Sequence, residues 1–380
     1  MKTLRRLETP ALVLDRDVLE RNLARMSSRM SQLGVRLRPH VKTAKSLDVI
    51  RRALAPPTQG ITVSTLKEAD YFFEAGISDI LYAVGIAPGK MTHVLNLIAR
   101  GAGLTVTADN IEAVRAVAAA ATARGLIVPM VIELDIDGHR SGVRPDSDLL
   151  IEMGRQFKHH RHLRLRGVMT HAGESYNCSS TDAIADMAER ERAGSVLAAE
   201  RLRAMEHVLD MVSVGSTPTA TFARALDGVS EVRAGVYMFH DLVMWNLGVC
   251  ELADIAIATL VTVIGHQAER GWVITDGGWM ALSRDRGTAQ QAVDQGYGLV
   301  RDIRGLSLED DLLVVSVNQE HGILARRDGK PVTPAQYPVG TMLRVLPNHA
   351  CAMAAQHAQY RVVRGSSTEI LESWPRINGW

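Results

Sequence analysis

Only three cysteines occur in the 380 residues, Cys178, Cys250 and Cys351, and their odd number and wide spacing exclude a disulfide framework. No run of about 18 apolar residues is present, so nothing in the chain reads as a membrane-spanning helix. Charge of one sign is also missing. The 43 Lys and Arg against 42 Asp and Glu give a formal +1 with no long block of either sign, which excludes the electrostatic footprint of a nucleic-acid or anionic-membrane binder. The opening Met1-Lys2-Thr3-Leu4-Arg5-Arg6 runs into Glu8 and Pro10, where a secretion signal would turn apolar. There is neither a tandem repeat of about 20 to 50 residues nor a low-complexity tract. The expectation that remains is a soluble, unprocessed cytoplasmic protein whose partner is a small molecule.

What is there is core-forming material. Hydrophobic residues make up 46% of a chain too long for one ordinary core, so a large α/β domain plus a smaller one is expected. Leu19, Leu23, Met26, Met30 and Leu33 recur at helical spacing behind Asp15, a capping residue. From Val35 onward short apolar runs alternate with helical patterns: the run into Pro39, then 60–63, 80–84, 104–107, 128–134, 163–169, 211–214 and the neighbours of Val232. Strand and helix in alternation imply a parallel sheet, and eight such units in about 220 residues fit a closed (β/α)8 barrel. Beyond Cys250 the rhythm changes to β-branched, alternating runs at 255–264, 272–275, 312–317 and 341–346, the pattern of an antiparallel sheet or small barrel. The expected division is a barrel over 12–248 and a β domain over 249–380, joined by residues 1–11.

In such a barrel the chemistry lies at the C-terminal ends of the strands. Lys42, in Pro39-His40-Val41-Lys42, follows the first strand. Its primary amine can condense with the aldehyde of pyridoxal phosphate and then act as a base, although on spacing alone it is an ordinary solvated lysine. Gly215, Ser216 and Thr217 follow strand seven, and Gly235, Val236 and Tyr237 follow strand eight, the usual place for a phosphate group. A plain helix cap is the bland alternative for the first set. Arg140 follows the run 128–134 and could hold a phenolate oxygen or a carboxylate bidentately. His171 and Tyr176 follow another strand, and either could contact the pyridine ring. Far along the chain, Pro347-Asn348-His349-Ala350-Cys351 puts imidazole and thiolate two residues apart, on one side if the segment is extended, where they could share a metal ion.

Arg38-Pro39-His40-Val41-Lys42, Asp137-Gly138-His139-Arg140-Ser141-Gly142-Val143, Gly215-Ser216-Thr217, Glu320-His321-Gly322 and Pro347-Asn348-His349-Ala350-Cys351, in this order over nearly the whole chain, resemble the D-threonine aldolase and D-serine dehydratase family. The resemblance implies an alanine-racemase-type barrel with a C-terminal β domain, pyridoxal phosphate on Lys42, and a divalent metal on His349 and Cys351. It also implies a homodimer. Family aldolases tend to carry His-x-Asp at the metal motif and family dehydratases His-x-Cys, so the chain reads as a dehydratase. The thiolate suits zinc first, with manganese and cobalt as alternatives. The expected substrate is a D-3-hydroxy amino acid, foremost D-threo-3-hydroxyaspartate, giving oxaloacetate and ammonia. Arg284 and Arg286 are candidates for its distal carboxylate. The alternatives are a D-serine dehydratase, an aldolase releasing glycine and an aldehyde, and a non-enzymatic pyridoxal phosphate carrier.

Overall fold

A computed structural model describes residues 2–54 and 60–380. In chain order the strands are β1 (Ala11–Asp15), β2 (Arg36–Pro39), β3 (Ile61–Val63), β4 (Asp79–Gly85), β5 (Gly103–Ala108), β6 (Val128–Leu134), β7 (Leu163–Thr170), β8 (Met211–Val214), β9 (Glu231–Ala234), β10 (Ile257–Gln267), β11 (Trp272–Thr275), β12 (Leu299–Asp302), β13 (Leu312–Val317), β14 (Gly322–Arg326), β15 (Met342–Leu346), β16 (Gln359–Val363) and β17 (Glu372–Pro375). Among the described residues they form two sheets, and the chain divides into two compact units, one of residues 25–235 with 379–380 and one of residues 1–24 with 236–378.

The first unit is the expected barrel. Its parallel sheet runs in the order β2-β9-β8-β7-β6-β5-β4-β3. The two edges meet through a bridge between His40 and Thr62, with Val41 N–H donating to the Thr62 carbonyl at 2.9 Å. That closing contact fixes the backbone immediately before Lys42. Strands β3, β8 and β9 are buried along their whole length, as expected where helices cover the outer face and side chains fill the inside. The filling is partly ionic. Arg38 is fully buried, its Nε donates to both carboxylate oxygens of Glu231 at 2.9 Å, and Ser213 Oγ donates to the same carboxylate at 2.7 Å. Burial alone would lower the Arg38 pKa, but Glu231 and Asp79 outweigh it and raise it, so the guanidinium stays charged.

In the second unit the order is β11-β14-β13-β12-β15-β10-β1-β16-β17, and an additional β10–β11 pairing closes six of these strands on themselves. The unit boundaries depart from the expected ones at both ends. Leu12, Val13 and Leu14 were assigned to the barrel segment. They instead pair antiparallel with Thr259, Ala258 and Ile257 of β10, and β1 also runs parallel to β16. At the other end, residues 236–248 group with the β unit, since Leu242 N–H donates to the Pro347 carbonyl at 3.0 Å and Asp241 caps two helices there.

Candidate active site

In the barrel unit, Lys42 sits in the turn after β2 with an exposed side chain, and its N–H donates to His40 Nδ1 at 3.4 Å. His40 Nε2 lies 3.4 Å from Ser64 Oγ, just after β3. Burial, reinforced by Lys42, Arg233, His171 and Arg140, holds the His40 pKa well below its ordinary value. His171, just beyond β7, is pulled down to about 3 by burial and then by Lys42, against the hydrogen bond to the Gly215 carbonyl at 3.1 Å. A carbonyl only accepts, so Nδ1 of a neutral His171 carries the proton and Nε2 keeps its lone pair. Both imidazoles are held neutral by burial first and by the surrounding cations second. Lys42 and Arg140 both act on His40 and His171, and the Tyr176 ring centroid lies 6.1 Å from that of His171. Arg140 also donates to Glu133 Oε1 at 3.4 Å, which ties part of its guanidinium to β6.

The phosphate loops differ from expectation in detail. A Cβ at Gly215 would lie 2.4 Å from the Arg233 carbonyl, and its φ is +127°, so only glycine fits. The N–H groups of Gly215 and Ser216 do not face an open anion site. Gly215 N–H donates to Glu191 Oε1 at 2.9 Å and Ser216 N–H to Thr219 Oγ1 at 3.0 Å, because Ser216 caps the helix Thr217–Phe222. Ser216 Oγ lies 2.9 Å from Ser175 Oγ, and Thr217 is buried. Glu191, on the long helix Thr181–Arg203, also accepts Ala172 N–H at 3.1 Å and Thr219 Oγ1 at 2.9 Å. One buried carboxylate therefore ties the loop after β7 to the loop after β8. Sequence reasoning missed it, since a glutamate in a helix carries no local signal. Gly235 lies where a Cβ would meet Thr43 Oγ1 at 2.8 Å and the His40 carbonyl at 3.0 Å. A lysine amine in a surrounding positive field suits an anionic aldehyde, so the residues present fit pyridoxal phosphate.

Val236 and Tyr237 open the C-terminal unit, and burial raises the Tyr237 pKa far above that of a free phenol. In the same unit, His349 and Cys351 are not on an extended strand. His349 is the residue before the short helix Ala350–Ala354, and Cys351 lies in its first turn. The two side chains still meet, through a hydrogen bond that helps keep His349 protonated. Burial would lower the His349 pKa, but the Cys351 thiolate and Asp285 together raise it. Asp285 Oδ2 lies 2.7 Å from His349 Nδ1. Asp241 fixes the turn itself, accepting Ala350 N–H at 2.9 Å and Met244 N–H at 3.0 Å. Thr288 Oγ1 donates to Asn348 Oδ1 at 2.8 Å.

Among the described residues no group of three or more His, Cys, Asp or Glu side chains is arranged to hold a metal. An imidazole and a thiolate in contact, with a carboxylate behind the imidazole, nevertheless fit a divalent ion that keeps open positions. Neither Asp241 nor Asp285 was visible as a partner in the sequence. Of the two arginines considered for a substrate carboxylate, Arg286 is ion-paired with Asp294 and lies over the Tyr297 ring. Arg284 stacks on Trp279, 5.1 Å from the ring centroid.

Residues 14–242 match the family described as alanine racemase, N-terminal domain, and residues 256–363 match the putative serine dehydratase domain. The chain is 52% identical to the D-threo-3-hydroxyaspartate dehydratase of Delftia sp. (strain HT23), over 100% of this chain and 99% of that protein. The solved structure of the Delftia enzyme superposes with a TM-score of 0.97 at 51% identity, covering 100% of both chains. The D-serine dehydratase of Dictyostelium discoideum is 28% identical over 98% of each chain. A D-threonine aldolase structure from Filomicrobium marinum, 24% identical, shares the fold with a TM-score of 0.81 over 99% of this chain and 97% of that one. With one family model covering most of the barrel, a second covering the β unit and a full-length relative above half identity, the chain belongs to the D-serine dehydratase and D-threonine aldolase family, the lyases built on an alanine-racemase-like barrel.

Proposed function

We propose that this chain is a pyridoxal phosphate- and divalent metal-dependent dehydratase of D-3-hydroxy amino acids, converting D-threo-3-hydroxyaspartate to oxaloacetate and ammonia. The observation that carries the reading is the 52% identity to a dehydratase of that substrate along the entire chain. The metal requirement has its own support. Solved structures of D-threo-3-hydroxyaspartate dehydratase, 51% identical to this chain, include variants in which a histidine, or a cysteine two residues further on, is replaced by alanine, the latter in the metal-free form. This chain has His349 and Cys351 at the same spacing.

When bound, the cofactor spreads the charge left at Cα and the ion polarises a hydroxyl at Cβ, which makes that hydroxyl a better leaving group. The rest of the chemistry belongs to the chain. Lys42 holds the cofactor and, once freed, takes the Cα proton on Nζ, with neutral His40 beside it accepting from the Lys42 backbone. The neutral His171, its Nδ1–H committed to Gly215, offers the cofactor ring a lone pair and no charge. Arg140 is the phenolate partner, and Arg233 contributes to the field that favours an anionic cofactor. His349 and Cys351 hold the ion, for which zinc is our first assignment, and Asp285 orients His349. Arg284, stacked on Trp279, is our assignment for the distal carboxylate, because Asp294 already occupies Arg286. We further propose that the active form is a homodimer.

The test is a comparison of kcat/KM for D-threo-3-hydroxyaspartate, D-serine and D-threonine on the purified holoenzyme. A preference of at least about tenfold for the dicarboxylic substrate, reduced in Arg284→Met, is expected from a charge-assisted contact to the second carboxylate. Equal or greater kcat/KM for D-serine would replace the assignment by that of a D-serine dehydratase.

A further inference from the structure

The C-terminal unit holds a cavity of about 390 Å³ with a composition that calls for a ligand. Three arginines line it, Arg301, Arg304 and Arg344, against one carboxylate, Asp15. Arg301 and Arg344 are direct cross-strand partners on β12 and β15, and they are only 8% and 5% exposed. Like charges placed opposite each other in a ladder repel, and burial removes the water that would screen them. A buried arginine is ordinarily paired. These two have no carboxylate at ion-pair distance among the described residues. Arg301 donates to Ser307 Oγ, and Arg344 reaches the Ser367 carbonyl at 3.4 Å while its Nε has no partner. Asp15 and Asp302 act on Arg344 only through space, and burial pulls its pKa down to about 10.

Asp15 is itself committed. Its Oδ1 accepts the N–H groups of Asp17 at 3.0 Å, Val18 at 3.4 Å and Gly365 at 3.1 Å. The fold also keeps the space open. Gly305 has φ +82°, and a Cβ there would approach Arg344 Nη1 to 3.2 Å, closing over the guanidinium. Apart from Ser307 and Ser366 the remaining wall is apolar, including Val13, Val18, Ile257 and Leu346, which disfavours a strongly hydrated inorganic ion and favours a short carbon chain with charged ends. Among the lining groups three arginines face one carboxylate, while Asp302 and Asp311 act on Arg344 and Arg301 only through space.

We infer that this cavity is a binding site for a small dicarboxylate, held by Arg301 and Arg344 at its buried end and by Arg304 at its rim. The site lies wholly within the C-terminal unit and does not depend on the reaction assigned above.

The test is calorimetric titration of the holoenzyme with succinate, alongside Arg344→Met and Arg301→Met. Loss of a charge-assisted hydrogen-bond pair is expected to weaken succinate binding roughly 10- to 100-fold in each variant, with kcat and KM for the amino acid substrate unchanged. Without ligand, Arg344→Met is expected to melt at a higher temperature than the parent, since an unpaired buried charge is gone. If Arg344→Met fails to fold, the Arg301→Met titration decides. Absence of succinate binding to the parent, or equal binding by parent and variant, would overturn the site. Phosphate binding as tight as succinate would overturn the dicarboxylate assignment.

Discussion

Asp285 Oδ2 stands 2.7 Å from His349 Nδ1, which commits that ring nitrogen and leaves Nε2 as the one that could take an ion. Carboxylate partners of this kind set the orientation and basicity of a metal-bound imidazole. Asp285→Asn is therefore expected to weaken divalent metal binding about 10- to 100-fold while leaving pyridoxal phosphate in place. Competition with a chromogenic chelator, read together with the cofactor absorbance, checks both halves of that statement.

The two functional clusters lie in different units, and their losses should separate accordingly. Lys42→Ala is expected to abolish the lysine-bound cofactor absorbance and turnover together. Cys351→Ala should retain the absorbance and lose metal and turnover. Dehydratase activity at the parental level in metal-stripped Cys351→Ala would remove the Lewis-acid role.

Glu191 is buried with donors from Gly215, Ala172 and Thr219 aimed at it. Glu191→Ala leaves three buried donors without an acceptor. At about 1–3 kcal/mol for each unsatisfied group, a total loss of roughly 3 kcal/mol or more is expected in urea unfolding. Because the same carboxylate joins the loops after β7 and β8, pyridoxal phosphate should also dissociate faster, which a dilution experiment followed by absorbance would record.

The barrel's ionic filling makes a stability claim free of any cofactor. Removing Arg38 strands the buried Glu231 carboxylate, and Arg38→Ala is expected to cost about 3–5 kcal/mol. The double variant Arg38→Met/Glu231→Met should recover part of that loss, since the buried pair leaves together and Arg233 keeps Glu191 and Glu133 as counter-charges.

His171 gives the pH dependence a sign. Unfolded, the imidazole takes up a proton near pH 6.5, whereas in the folded chain it does not do so until about 3. Its contribution to stability is complete above pH 6.5 and is lost as pH falls toward 3. His171→Gln should remove a slope of up to about 1.4 kcal/mol per pH unit across that window, measurable as a flatter dependence of unfolding free energy on pH.

Much of this was legible from residues alone where burial acts on both faces. Strands such as β3 and β8 are short apolar runs because helices cover one side and barrel filling the other, so their positions could be read directly. Strand β12, Leu299-Val300-Arg301-Asp302, could not, because its inward positions include a buried arginine that mimics a loop residue. The His349 and Cys351 pair stood out through the family resemblance, His-x-Cys being unspecific on its own, and its conformation was not legible. Asp241 and Asp285 bend that segment into a helical turn and orient it from 109 and 64 residues away, and such long-range partners leave no periodicity to read. Glu191 was hidden for the same reason, with a loop partner 24 residues distant.

The most direct test of the account is the product spectrum from D-threo-3-hydroxyaspartate on enzyme supplied with pyridoxal phosphate and a divalent metal, with and without chelator. Oxaloacetate and ammonia in equal amounts, suppressed by the chelator and restored by added metal, are the expected result. Glycine and glyoxylate in their place would contradict the dehydratase assignment, and oxaloacetate formation indifferent to the chelator would contradict the role given to His349 and Cys351.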